Sequence, residues 1–157
     1  MSHSGGPSGL LAMSISGQRA VTAVLGLSAA FVGLWAQFAP MSFYESFPLP
    51  GRHWVSGIGA YNEHLIRDVG GLYLALLTIS AWAVLRPRRE TFRLAGAAWF
   101  VFSLPHLVFH LFHLQGLPAI DQVGNVVALG GTLVLAFLLL LVDHSATRAG
   151  SSAPPKV

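Results

Sequence analysis

Residues 122–142 read QVGNVVALGGTLVLAFLLLLV, and this run decides the fold. It carries no charged side chain and matches the ~20 residues that a helix needs to cross ~30 Å of hydrocarbon. Working outward, three further apolar runs have the same character. Residues 94–114 and 20–39 are two of them, and the latter holds no charge. The third, 64–85, carries Arg67 and Asp68 in its first turns. Strands of a closed β-barrel alternate polar and apolar residues, which the continuous stretch from Leu133 to Val142 does not. The predicted fold is all-α, a four-transmembrane-helix bundle.

Composition points the same way. Of 157 residues, 54% are hydrophobic and only 10% charged, against roughly 25% charged in a typical soluble domain. Mean hydropathy is +0.63. A chain so poor in charge has little with which to cover a water-facing surface, so the lipid bilayer is its expected solvent. There is no cysteine, which excludes disulfides, thiolate metal sites, haem attachment through cysteine and cysteine nucleophiles. The pI near 10.0 does not indicate a nucleic-acid partner: net charge is only +3, and Arg86, Arg88, Arg89 and Arg93 crowd one short link.

That link sets the expected orientation. Arg19 precedes the first run, and Arg148 and Lys156 follow the last. The opposite side has only Arg52 and Arg67. Both termini and the arginine link are therefore expected in the cytoplasm, with the polar ends of the helices outside. Residues 1–18, rich in Ser and Gly, read as a disordered cytoplasmic leader, 19–144 as the membrane domain with an external loop at 40–63, and 145–157 as a disordered tail. Small residues four apart, Gly26/Ala30, Ala29/Gly33, Gly71/Ala75 and Gly124/Ala128, are expected to mark close helix contacts. High Ala, Gly, Leu and Arg content suggests a GC-rich bacterium, and the expected location is its plasma membrane.

The candidate site comes from the polar residues inside the spans. Glu63, His64, Arg67 and Asp68 open the second helix, His106, His110 and His113 lie toward the end of the third, and Asp121 and Asn125 open the fourth. Alternating helix direction brings all of these to one depth. At ~100° per residue, the three histidines of the third helix fall within ~60° of one another, and His64 and Asp68 share a face. Imidazole and carboxylate are ligands for a transition metal such as zinc, iron or copper. The expected metal ligands are therefore His64, Asp68, His106, His110 and His113, and haem b is a further cofactor to weigh. His53, Glu63, Arg67, Asp121 and Asn125 are the expected neighbours around a bound cofactor. The HxxH spacing of His110 and His113 lacks the Glu of an HExxH hydrolase, so no catalytic residue is assigned. The aromatic, proline-rich loop after the first span reads either as a cap over this cluster or as an interfacial anchor.

The opening of the second helix, Arg67-Asp68-Val69-Gly70-Gly71-Leu72-Tyr73-Leu74-Ala75, together with the four-span plan and the long first external loop, resembles small bacterial membrane proteins of the DoxX-like kind. Many of these are of unknown function, and the resemblance implies the fold without a catalytic assignment. The histidines of 105–113 are more numerous than it implies. Two functional classes follow: a membrane protein with an outward-facing metal or small-cofactor site, or a non-enzymatic accessory subunit of a homo-oligomer or larger membrane complex. A proton or solute pathway is disfavoured, because the cytoplasmic halves of the spans hold almost nothing ionisable.

Overall fold

The computed structural model describes residues 13–141. The leader and tail expected at the two ends fall largely outside these residues. Among those described there are five helices and no strand. They are α1 (Ile15–Phe38), the short α2 (Pro40–Ser46), α3 (Glu63–Leu85), α4 (Arg89–Leu111) and α5 (Ala119–Leu140). The four long helices are each long and apolar enough to cross a membrane, so the chain is an integral membrane protein with an all-α bundle.

Each long helix begins earlier than its apolar run, because a polar first turn can be satisfied by caps without being hydrophobic. Ser14 Oγ accepts from Gly17 N–H at 3.1 Å, so α1 starts at Ile15, inside the stretch expected to be disordered. Asn62 Oδ1 accepts from Leu65 N–H at 3.1 Å and starts α3. Thr91 Oγ1 accepts from Arg88 N–H at 3.2 Å at the head of α4. α4 runs on through Pro105 to Leu111, although Pro105 has no N–H to offer Val101 O. His113 lies beyond its end.

α1 packs along α3 and α4 along α5, whereas α3 meets α4 over a shorter stretch. The main core holds Leu25, Ala29, Tyr73, Leu76, Phe92 and Trp99. A second, smaller cluster joins Ala36, Phe43 and Ile66 beneath α2.

Glycine sets the tightest seam. A Cβ on Gly70 would stand 2.6 Å from Gln37 N and 2.9 Å from its Cα, so only glycine lets α3 meet the last turn of α1. Arg67, one turn earlier, donates from Nη1 to Gln37 O and from Nε to Glu63 Oε1 at 2.9 Å. A cation there complements the carbonyl end of α1. Two further positions are less tight: a Cβ on Gly33 would stand 3.1 Å from Leu74 N, and one on Gly26 would stand 3.3 Å from Ser80 Cβ. Two expected contact faces are displaced. A Cβ on Gly71 would meet nothing nearer than Gln37 Oε1 at 3.9 Å, and one on Gly124 would stand 2.9 Å from the Trp54 indole of the loop.

Candidate functional site: an intramembrane cavity beneath the loop cap

At the loop-bearing end of the bundle the long helices do not close on one another. They surround a cavity of ≈ 560 Å³, within the usual range for small-molecule sites. Its walls come from all four: Phe31 and Val32 of α1, Ile66, Val69 and Tyr73 of α3, His106 and His110 of α4, and Asn125, Leu129 and Thr132 of α5. The loop roofs it with Phe47, Trp54, Val55 and Ile58. The loop thus lies over this cavity, whereas the His64/Asp68 part of the cluster it was expected to cover stays exposed. The loop holds its shape through packed rings and local hydrogen bonds. Phe43 and Phe47 lie 4.6 Å apart, Phe47 meets Trp54 edge-on at 6.1 Å, and Tyr44 Oη donates to Gly59 O at 2.9 Å.

A buried acid fastens the cap. Asp121, in the first turn of α5, accepts from Trp54 Nε1 at 2.9 Å and from Arg52 Nη1 at 3.0 Å. Its side chain is only 8% exposed, while Arg52 is 42% exposed and keeps part of its hydration. A carboxylate with an indole donor, a guanidinium and the amide end of α5 around it is well compensated for burial. Sequence reasoning named Asp121 as a ligand contact, and its observed bonds instead hold the loop. Arg52 and Trp54 went unrecognised. Their signal was available in hindsight: two strong side-chain donors one residue apart in a loop, and a lone acid at a helix start.

Two atoms around the cavity lack partners. Asn125, 2% exposed, leaves Oδ1 buried and unbonded, and so does His110 with Nδ1. Two other such atoms, Gln18 Oε1 and Ser103 Oγ, belong to residues that do not line the cavity. Buried polar atoms are normally satisfied, and an orphan costs about 1–3 kcal/mol. The α4 side chains form a ladder in which Phe102 stacks on His106 at 5.0 Å and His106 meets His110 edge-on at 4.7 Å. No Asp, Glu, Lys or Arg lines the cavity. The site is therefore mainly apolar and without a formally charged side chain, and its polar groups are the imidazoles of His106 and His110, the amides of Asn62 and Asn125, and the hydroxyls of Ser28, Tyr44, Tyr73 and Thr132.

The remaining expected residues lie elsewhere. His64 and Asp68 do share a face, with Nε2 and Oδ2 3.3 Å apart, but their side chains are 88% and 60% exposed and neither lines the cavity. Glu63 and Arg67 pair with each other at 2.8 Å on the α1–α3 seam. His113 is exposed, with Nδ1 2.7 Å from Phe109 O and its ring stacked on Phe109 at 4.0 Å. His53 is also exposed, with Nδ1 3.5 Å from Ser56 Oγ. Of the ten candidates, the structure brings His106, His110 and Asn125 to one cavity. Among the described residues no three His, Asp or Glu side chains come together in a set that could hold a metal ion. The five expected ligands separate because helical spacing fixes a shared face on one helix without fixing which way that face points. No protein-family model, curated protein or solved structure matches this chain.

Proposed function

We propose that this protein binds a small, predominantly apolar organic molecule in the capped cavity, on the outer side of a bacterial plasma membrane. His106, His110 and Asn125 supply its polar contacts. The observation that carries this reading is the cavity itself, drug-sized and apolar, with two buried polar atoms left without partners. A bound molecule would complete them and fill the space. The metal and haem readings lose support because His64, Asp68 and His113 stand apart from His106 and His110. The outward placement rests on the arginines of the α3–α4 link. Kinship with DoxX-like proteins belongs to the same proposal. Arg67 and Gly70, the part of that segment with a visible task, hold α1 against α3.

The test uses purified protein in nanodiscs and a photoactivatable, diazirine-bearing benzyl alcohol. Cross-links at cavity residues such as Val69 and Leu129, lost in His110→Leu and Asn125→Leu and kept in His64→Ala, support the reading. Elemental analysis and an absorption spectrum run alongside. A stoichiometric metal or a Soret band that disappears in both His106→Gln and His110→Gln overturns it in favour of a metal or haem centre. No cavity labelling, with the protein recovered in a larger complex, leaves the accessory-subunit reading. For orientation, an impermeant maleimide should reach cysteines placed at Ser46 and Ala119 in intact cells, and not one at Thr91.

A further inference from the structure

Outside the cavity, on the surface of the bundle, an apolar groove of ≈ 610 Å³ runs between α3 and α4. It lies where those two helices meet only briefly. Its walls are Leu72, Ala75 and Ile79 on one side and Ala98, Val101 and Phe102 on the other. Both helices are membrane-spanning in length and composition, so this groove opens into hydrocarbon. Two residues, His106 and Phe109, line the groove and the inner cavity alike. The two spaces therefore share a wall that includes one imidazole and one half-exposed phenyl ring.

We infer that the ligand is an uncharged, single-chain amphiphile that enters sideways from the bilayer, its polar head passing His106 and Phe109 into the cavity while its chain stays in the α3–α4 groove. The inference rests on the ligand-binding reading above and specifies the class of molecule. Three observations select that class. First, a cavity without a charged lining residue gives an ion no counter-charge, and burying an unpaired ion is strongly unfavourable. Second, the orphan atoms are an amide oxygen, which needs a donor, and an imidazole nitrogen, which either gives or takes a hydrogen bond. A hydroxyl serves either atom, whereas a carboxylate leaves the Asn125 oxygen unanswered. Third, about 12 Å of helix rise separates Ala98 from His106, the length of roughly ten methylenes. The loop end offers a poorer route, because Trp54 and Arg52 are tied to Asp121 across it.

Dodecanol carrying a diazirine near its methyl end tests the inference in nanodiscs, with the benzyl alcohol probe as reference. In the wild-type protein the dodecanol label should map to the groove, at Ala75, Ile79, Ala98 or Val101, and unlabelled dodecanol should compete it away. Ala75→Trp, which fills the groove from a lipid-exposed position, should reduce dodecanol labelling at least ten-fold and leave benzyl alcohol labelling of the cavity unchanged. Val24→Trp, on the exposed face of α1, should alter neither. The matching dodecanoic acid, ionised at neutral pH, should label at least ten-fold less than the alcohol. Equal labelling of all four long helices means ordinary lipid contact and overturns the inference. So does dodecanol labelling indifferent to Ala75→Trp, or acid labelling as strong as that of the alcohol. Failure of benzyl alcohol to label the wild-type cavity sinks the ligand-binding reading itself, so the two failures are told apart.

Discussion

The two ends of the bundle are built from similar residues and packed by different rules. Toward the arginine link, Phe92, Ala95 and Trp99 of α4 press against Leu25 of α1, Ala83 of α3 and Leu139 of α5, every one of them 0–1% exposed. The polar atoms there largely have partners of their own. Trp99 Nε1 donates to Ser80 Oγ at 2.9 Å, Ser80 Oγ donates to Leu76 O at 2.8 Å, and Thr22 Oγ1 donates to Gln18 O at 2.7 Å. Toward the loops, the same helices splay around empty space and leave His110 and Asn125 incomplete. The difference teaches that equally apolar helices can close into a core at one end and leave a chamber at the other. The core end satisfies most of its polar atoms internally, Gln18 Oε1 excepted, and the chamber end leaves His110 Nδ1 and Asn125 Oδ1 without partners.

The most direct way to break this contrast is to empty the filled half. Trp99→Ala removes a fully buried indole and its bond to Ser80, and should destabilise the protein by about 3–5 kcal/mol. Phe109→Ala, at the cavity rim with its ring 49% exposed, should cost only about 1 kcal/mol. Unfolding in detergent measures both, and equal losses would mean that the two halves are packed alike.

The α1–α3 seam gives the next largest effect. Gly70→Ala forces a methyl into the Gln37 backbone and should cost about 1–3 kcal/mol. Gly71→Ala, one residue on and free of that contact, should stay within about 0.5 kcal/mol of wild type in the same measurement.

Loosening the cap should have a smaller and more local consequence. Asp121→Asn keeps the shape of the acid but removes its charge from Arg52, at about 1–2 kcal/mol. Hydrogen exchange should quicken in residues 47–58 and remain slow around Trp99. Uniform quickening would show that the cap and the core open together.

The smallest change in stability should accompany the clearest change in binding. Asn125→Leu replaces a lone buried amide by hydrocarbon of similar size, so melting should move by less than about 1 kcal/mol equivalent while cavity labelling is lost. His64→Ala, at an exposed ion pair, should change stability by no more than about 0.5 kcal/mol and leave labelling intact.

The spans were legible because length and hydrophobicity are local properties, readable within a window of twenty residues. Much of the site was not. The spacing of His64 and Asp68 correctly joined them, and that of His106 and His110 did likewise, yet no periodicity says how two faces on different helices are turned toward each other. The first pair turned outward and the second lined the cavity. The sequence marks Asp121 as a polar residue at the head of the fourth helix, but its partners lie 67 and 69 residues earlier in a loop, where distance along the chain carries no information about contact. In the segment Arg67 to Gly71 the choice between two adjacent glycines depended on a rotation of 100° that only the α1–α3 packing fixes.

The fastening of the cap also has a consequence for biosynthesis. A ribosome delivers Arg52 and Trp54 long before Asp121, which arrives with α5. Until α5 has been inserted, the loop has no acid to hold, and its arginine and indole must rest among lipid headgroups and water. The roof therefore gains this fastening only once α5 is in place. A chain truncated before α5 would keep the glycine seam between α1 and α3 and still lack both the anchor of its roof and one wall of its chamber.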